Sequence, residues 1–454
     1  MNVLAVLFLF ANAVALACLP RRWAPFPLLI GVCYMTLGQG FDLGPFSFTV
    51  VRVLIAVGVV RVILRRESIA GGLIAMDWMM IGFGVWALIT SFFHEAGPDG
   101  NPLVLRLGLV YNTLGIYFLT RIFCDSFDDL LNLVQILALL LVPVALEMAF
   151  ERLTARNMFS VFGGVSLFCT IREGNIRAQG PFMHPILAGT VGAVCFPLMV
   201  GLWNYRPRIA SIGMGTCLLM VFACGSSGPI MSMFAAIFAL VMWKYRHLTR
   251  AARIGAVAGY VLLSFVMNAK PYYLLARIDI SGGSTGWHRA ELIDSSIRHL
   301  SEWWLAGTDY TRHWMPTGVT WSPNHTDITN YYLSLGVRGG LPLMMILIFM
   351  MWTAFKYVGR ALSTSENASH ARQFMIWSLG AALLAHAATC VSVSYFDQSY
   401  VFLYVNLALI GSVASRMLSD RGEKSRVPVE AEVPIGASWI PVEKSNPRTR
   451  FALT

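Results

Sequence analysis

The chain reads as an all-α polytopic membrane protein of about 12–13 transmembrane helices, with a large outer-face loop containing an amphipathic helix. Three observations carry this reading. Apolar types make up 56% of the 454 residues and charged types 13%, whereas soluble domains carry about a quarter charged residues. Apolar stretches recur at lengths near the ~20 residues that cross a hydrocarbon core of about 30 Å. Basic clusters then alternate with less basic gaps, as the preference of Lys and Arg for cytoplasmic loops demands.

In order, the stretches are 2–19, 23–38, 46–64, 73–93, 103–123, 129–149, 183–203, 209–223, 229–243, 252–268, 337–357, 372–391 and 398–416. The first lacks a basic start and a small-residue cleavage site before Pro20-Arg21-Arg22, which marks a retained span rather than a removed signal. The clusters at Arg21-Arg22, 61–66, 206–208, 244–253 and 356–360 fall on the cytoplasmic side. The 150–182 loop, the 224–228 turn and the 269–326 loop then lie outside. Residues 1–417 make a single integral membrane domain, and 418–454 form a polar, flexible cytoplasmic tail.

Several function classes drop out. The net charge of +10 follows the topology and builds no continuous basic face, so nucleic acid is not an expected partner. Eight scattered cysteines without a CxxC pair give neither a metal cluster nor a disulfide framework.

Three outer constellations carry polar chemistry. In the first, Arg172 and Arg177 precede Gly180-Pro181 and His184-Pro185 at the mouth of a span. Guanidinium offers a fixed fork of charged donors suited to a polyanion. Pro185 suits a first helical turn, and Glu173 has the four-residue spacing to pair with Arg177 on a helix. Snorkelling to lipid headgroups is the competing role for both arginines.

In the second, Ile293, Ile297, Leu300 and Trp304 make an apolar stripe at helical spacing. Arg289 lies one turn earlier on that side, near a helix start favourable to phosphate. Such a helix lies against the bundle or in the outer interface. His288, His299 and His313 read as surface or interfacial residues.

The third runs from Trp321 through His325, Asp327, Thr329, Asn330 and Tyr332 into another span. Read as a helix, it puts His325 and Thr329 on one face with Tyr332 nearby. His325, oriented by a carboxylate such as Asp327, can act as a general base toward a hydroxyl; a buried structural network is the alternative. Gly339 to Pro342 is placed to bend the helix.

The order of these pieces resembles the O-antigen ligase and polysaccharide polymerase superfamily of integral membrane glycosyltransferases, over about residues 45–415. The resemblance rests on Arg177-Ala-Gln-Gly-Pro-Phe-Met-His-Pro, Cys224-Gly-Ser-Ser-Gly, Trp287-His-Arg289, Trp303-Trp304-Leu-Ala-Gly307 and Thr329-Asn330-Tyr-Tyr-Leu333, followed by Gly336 and Gly339-Gly340. It departs where the family turn ends Gly-Ser-Arg, here with Ser227 in the arginine's place. It departs again where the family's His-Asn pair reads Thr329-Asn330.

The resemblance implies a multi-pass protein of the bacterial inner membrane with a periplasmic active face. Its donor is an undecaprenyl-diphosphate-linked glycan, its acceptor another glycan or lipid A core, and membrane lipids surround it. A glycan chain-length regulator is a further implied partner. Arg177 and Arg289, with Arg172, would grip the diphosphate while His325 assists the acceptor hydroxyl; His184, Asp327, Thr329, Asn330 and Tyr332 would support them. No cofactor is expected, and no metal. Polymerase and ligase share this donor chemistry, with the polymerase favoured. A lipid-linked glycan transporter is the alternative of a different class, although no inverted repeat is visible.

Overall fold

The computed structural model describes residues 1–97, 100–277, 286–365 and 368–426. It is all-α and multi-pass, with 72% of the chain helical. The helices follow the apolar stretches one for one: α1 (Val3–Cys18), α2 (Pro25–Tyr34), α3 (Val50–Arg65), α4 (Ala75–Thr90), α5 (Pro102–Phe123), α6 (Phe127–Thr154), α7 (Pro185–Leu202), α8 (Pro207–Ala223), α9 (Ser227–Val241) and α10 (Thr249–Val266). Two short outer helices, α11 (Gly286–Arg298) and α12 (Leu300–Trp303), precede α13 (Tyr331–Thr364), α14 (His370–Ser392) and α15 (Tyr400–Arg426). Among the described residues, eight helices are long and apolar enough to cross a membrane.

Local chemistry sets the helix starts. Asn2 accepts the Ala5 amide at 2.8 Å, and Ser126 with Asp129 closes a capping box on α6. Pro102, Pro185 and Pro207 occupy first-turn positions where the missing N–H costs nothing. Two hairpins lie between spans: β1 (Gly40–Leu43) with β2 (Phe46–Thr49), and β3 (Thr170–Arg172) with β4 (Asn175–Arg177).

Two of the predicted basic clusters, at Arg21-Arg22 and 61–66, are held by ion pairs at one end of the bundle. Arg21 and Arg416 converge on Asp125, at 3.5 and 2.7 Å, and Arg61 pairs with Glu67 at 2.8 Å. At the opposite end the first residues join the outer loops: Asn2 donates to Gln39 at 2.8 Å, and Gln39 donates to the Phe162 carbonyl. Just inside the basic end, the fully buried pair Arg121–Asp77 at 3.1 Å, from the last turn of α5 and the first turn of α4, is completed by Tyr117 and Ser412. Its hydrogen bonds are made within the bundle, so this intramembrane pair reads as structural.

The core is densest around α7, which is enclosed by α6, α8, α9 and α14. α10 is the opposite case and carries no buried residue.

α13 breaks as its glycines predict. Gly340 has φ +73°, and a Cβ there would lie 2.0 Å from the Leu305 carbonyl oxygen. The break lets Leu341 N–H donate to Trp304 O at 2.8 Å and Thr308 N–H to Val337 O at 2.9 Å. The outer loop is thereby laced onto a spanning helix.

Four expectations are corrected. The stripe Ile293–Ile297–Leu300–Trp304 is not the packed face: Ile297 and Trp304 are each 52% exposed. Leu292, Ser295 and Ser296 face the protein instead, and the helix stops at Arg298 before α12. The stripe can meet lipid, so apolar spacing alone did not identify the protein-facing side. Residues 325–330 are not helical, because Asn330 caps α13 by accepting the Leu333 amide at 3.1 Å. His325 and Thr329 therefore share no helical face. Glu173 sits at a hairpin turn rather than on a helix, so four-residue spacing does not align it with Arg177. Finally, α15 continues to Arg426, making residues 418–426 helical; the remainder of the expected tail, 427–454, lies outside the described residues, as does the 278–285 stretch before α11.

Candidate functional site

Arg177 closes the β3–β4 hairpin, whose turn needs left-handed backbone at Glu173 and Gly174. The next residue docks on the bundle, with Ala178 N–H donating to Ala223 O at 3.0 Å. That contact carries Arg177 to the 224–226 turn. Its Nε–H reaches the Cys224 carbonyl at 3.5 Å and its Nη2 donates to the Ser226 hydroxyl. Gly225 has φ +55°, and a Cβ there would come within 3.3 Å of the Arg177 side chain. The glycine thus allows turn and guanidinium to meet.

Two carboxylates outside the predicted site hold this backbone. Glu151, fully buried at the end of α6, accepts the Gln179 and Gly180 amides at 2.8 and 2.6 Å. Asp397 accepts the Met183 amide at 3.0 Å and the Ser399 amide at 2.8 Å. Between these anchors His184 caps α7, its Nδ1 accepting the Ile186 amide at 3.2 Å. Burial, then the charges of Arg177 and Arg172, push the His184 imidazole down to about 4. The same residue is therefore neutral near pH 7.

Arg289 arrives from α11. It is partly buried, and its Nε–H donates to the Ser392 carbonyl at the outer end of α14, 3.0 Å away. Burial lowers its pKa, Arg172 adds to that lowering, and Asp327 opposes it. Arg177 is likewise lowered first by burial, with Arg172 contributing. The exposed Arg172 thus acts on each of Arg177, His184 and Arg289. Among the described residues, neither Arg177 nor Arg289 has a carboxylate within ion-pair distance.

The third constellation divides. Asp327 is exposed; its carboxylate acts on Arg289 and its carbonyl meets His288 at 3.0 Å. Among the described residues the buried Thr329 hydroxyl has no hydrogen-bond partner, a state that a polar ligand group would relieve. Asn330 is occupied as a helix cap. Tyr332 points into the spans, donating to Ala387 O at 3.1 Å. His325 lies against the outer loop, 3.1 Å from the Thr311 hydroxyl and beside Trp321.

The arrangement offers an anion one buried and one partly buried guanidinium, each held by carbonyl or hydroxyl oxygens, with the exposed Arg172 near both. Such preorganised charge stabilises a phosphate or diphosphate more strongly than mobile surface lysines would. A separate groove of about 440 Å³ between α10 and α13 is lined by Arg250, Arg253, Val257 and Trp352, among others, and belongs to the basic end. Glu151, Asp397 and Ser392 are additions to the expected site, whereas Ser226 belongs to the Cys224-Gly-Ser-Ser-Gly turn already named in the sequence. Glu151 and Asp397 had one available signal, as acidic residues at the edges of apolar stretches. No protein-family model matches the chain, and no curated protein matches it either.

Proposed function

We propose that the protein is a glycosyltransferase of the bacterial inner membrane, using an undecaprenyl-diphosphate-linked glycan at the periplasmic face. Support comes above all from Arg177 and Arg289, buried in whole or part, unpaired with carboxylates among the described residues, and joined electrostatically by Arg172. A leaving diphosphate gathers negative charge as its bond to the sugar breaks, and fixed guanidiniums lower the energy of that state. The resemblance noted in the sequence supplies the donor class.

In the proposed reaction an acceptor hydroxyl oxygen attacks the anomeric carbon. The anomeric C–O bond breaks with its electron pair going to the diphosphate, which stays on Arg177, Arg289 and Arg172. The hydroxyl proton passes to a base, for which His325 is the candidate; Thr311 orients its Nδ1. One displacement inverts the anomeric configuration. Neutral His184 and the Thr329 hydroxyl are placed to support donor or acceptor through hydrogen bonds.

Extension of an exopolysaccharide or O-antigen repeat is the favoured reaction, with transfer to lipid A core second. Reconstitution with a defined lipid-diphosphate glycan separates the readings. A ladder of longer lipid-linked glycans supports the polymerase, and one transfer to lipid A core supports the ligase. Unaltered donor recovered on the opposite leaflet would make the protein a transporter instead.

A further inference from the structure

Apart from the arginine cluster, the outer loop brings two imidazoles onto one carboxylate. His299 Nδ1 lies 2.8 Å from Glu302 Oε1, and His313 Nε2 lies 3.0 Å from the same carboxylate. All three ligand atoms fall within 4.8 Å of one another. The side chains are 31–37% exposed, which leaves one side open to water. Their supports are in place: Trp314 Nε1–H donates to Glu302 at 3.0 Å and stacks on His299, while Tyr310 stacks on His313.

We propose that His299, Glu302 and His313 bind a divalent transition metal of the zinc class, which ties α12 to the 312–314 turn. Two neutral imidazoles with one carboxylate and an open position suit zinc, whereas calcium and magnesium prefer all-oxygen sets. Bonds of about 2.0–2.1 Å put tetrahedral donors about 3.4 Å apart, so the side chains need only small adjustments. The tie has a structural consequence. Thr311, two residues before His313, contacts His325, and the Thr311 and Arg312 amides both donate to Asn324 O at 2.9 and 3.0 Å. The metal would hold this loop where it meets α13.

The test uses the full chain in detergent, stripped with a chelator and titrated with zinc against a chromogenic competitor. One zinc per chain is expected, raising the unfolding temperature. Glu302→Gln and His313→Ala should each weaken binding by about 100-fold, at the upper end of what even outer-shell changes cause. His247→Ala, in the basic cluster at the other end, should leave it unchanged. Cobalt(II) added to the unmutated protein should give the intense visible bands of a four- or five-coordinate site, a readout that needs no variant to fold. Zinc affinity unaffected by Glu302→Gln and His313→Ala, or a weak octahedral cobalt spectrum, would overturn the site.

Discussion

Arg289 Nε–H donates to the backbone carbonyl of Ser392 at 3.0 Å, tying the outer-loop helix α11 to the outer end of α14. One N–H fixes the guanidinium, and among the described residues the others remain available to an anion. Arg289→Ala should therefore lower transfer by about 10²–10³-fold, the usual cost of losing a charge-stabilising donor. Membrane abundance should hold. Arg289→Lys should recover little, because an ammonium cannot reproduce the planar fork. Product formation by membranes matched for protein content checks both.

Glu151 should matter for stability more than for chemistry. It accepts two amides, of Gln179 and Gly180, and neither has water to turn to in this buried place. Glu151→Ala should destabilise the protein by about 2–6 kcal/mol, the cost of leaving two buried donors unpaired at about 1–3 kcal/mol each. Thermal unfolding in detergent measures it, and Glu151→Gln should recover part of the loss.

His184 links the site to pH. Its folded value of about 4 lies below the ordinary 6.5, because burial and two neighbouring guanidiniums disfavour the imidazolium. Between these values the unfolded chain binds more protons than the folded one. Stability from this residue is complete above pH 6.5 and is lost as pH falls toward 4. His184→Asn keeps a capping oxygen but cannot titrate, so unfolding temperature plotted against pH should flatten across that window.

Gly340→Ala tests the lacing of the outer loop. A methyl group there would lie 2.0 Å from Leu305 O, on a residue with φ +73°. Backbone strain alone costs about 1–3 kcal/mol, and the 305–308 segment must also move. Faster proteolysis within the loop between α10 and α13, in the detergent-solubilised protein, is the expected result.

How far the sequence was legible follows from the range of each signal. The spanning helices are local apolar runs, and Arg177 and Arg289 announce themselves as charges beside span entrances or on a short outer helix. Long-range acceptors give only a weak mark, an acidic residue at the edge of an apolar stretch, and nothing that names the partner. Glu151 meets Gln179, and Asp397 meets Met183, through backbone amides that spacing within one segment cannot reveal. The stripe on α11 leaves open whether it meets the bundle or the outer interface, because water, lipid and protein compete for its faces; Ile297 and Trp304 stay exposed. Whether His325 lies on a helix stays open in the sequence, because nothing in its own segment shows that Asn330 takes the cap.

The central claim is that Arg177 and Arg289 together hold a lipid diphosphate. Binding of undecaprenyl diphosphate to the protein in nanodiscs, followed by native mass spectrometry, tests it most directly. The unmutated chain should retain one lipid diphosphate, and the double variant Arg177→Ala/Arg289→Ala should bind it about 100-fold more weakly, as loss of two charge-assisted contacts of about 1.5–3 kcal/mol each requires at minimum. Equal retention by a double variant of unchanged abundance and stability would contradict the account.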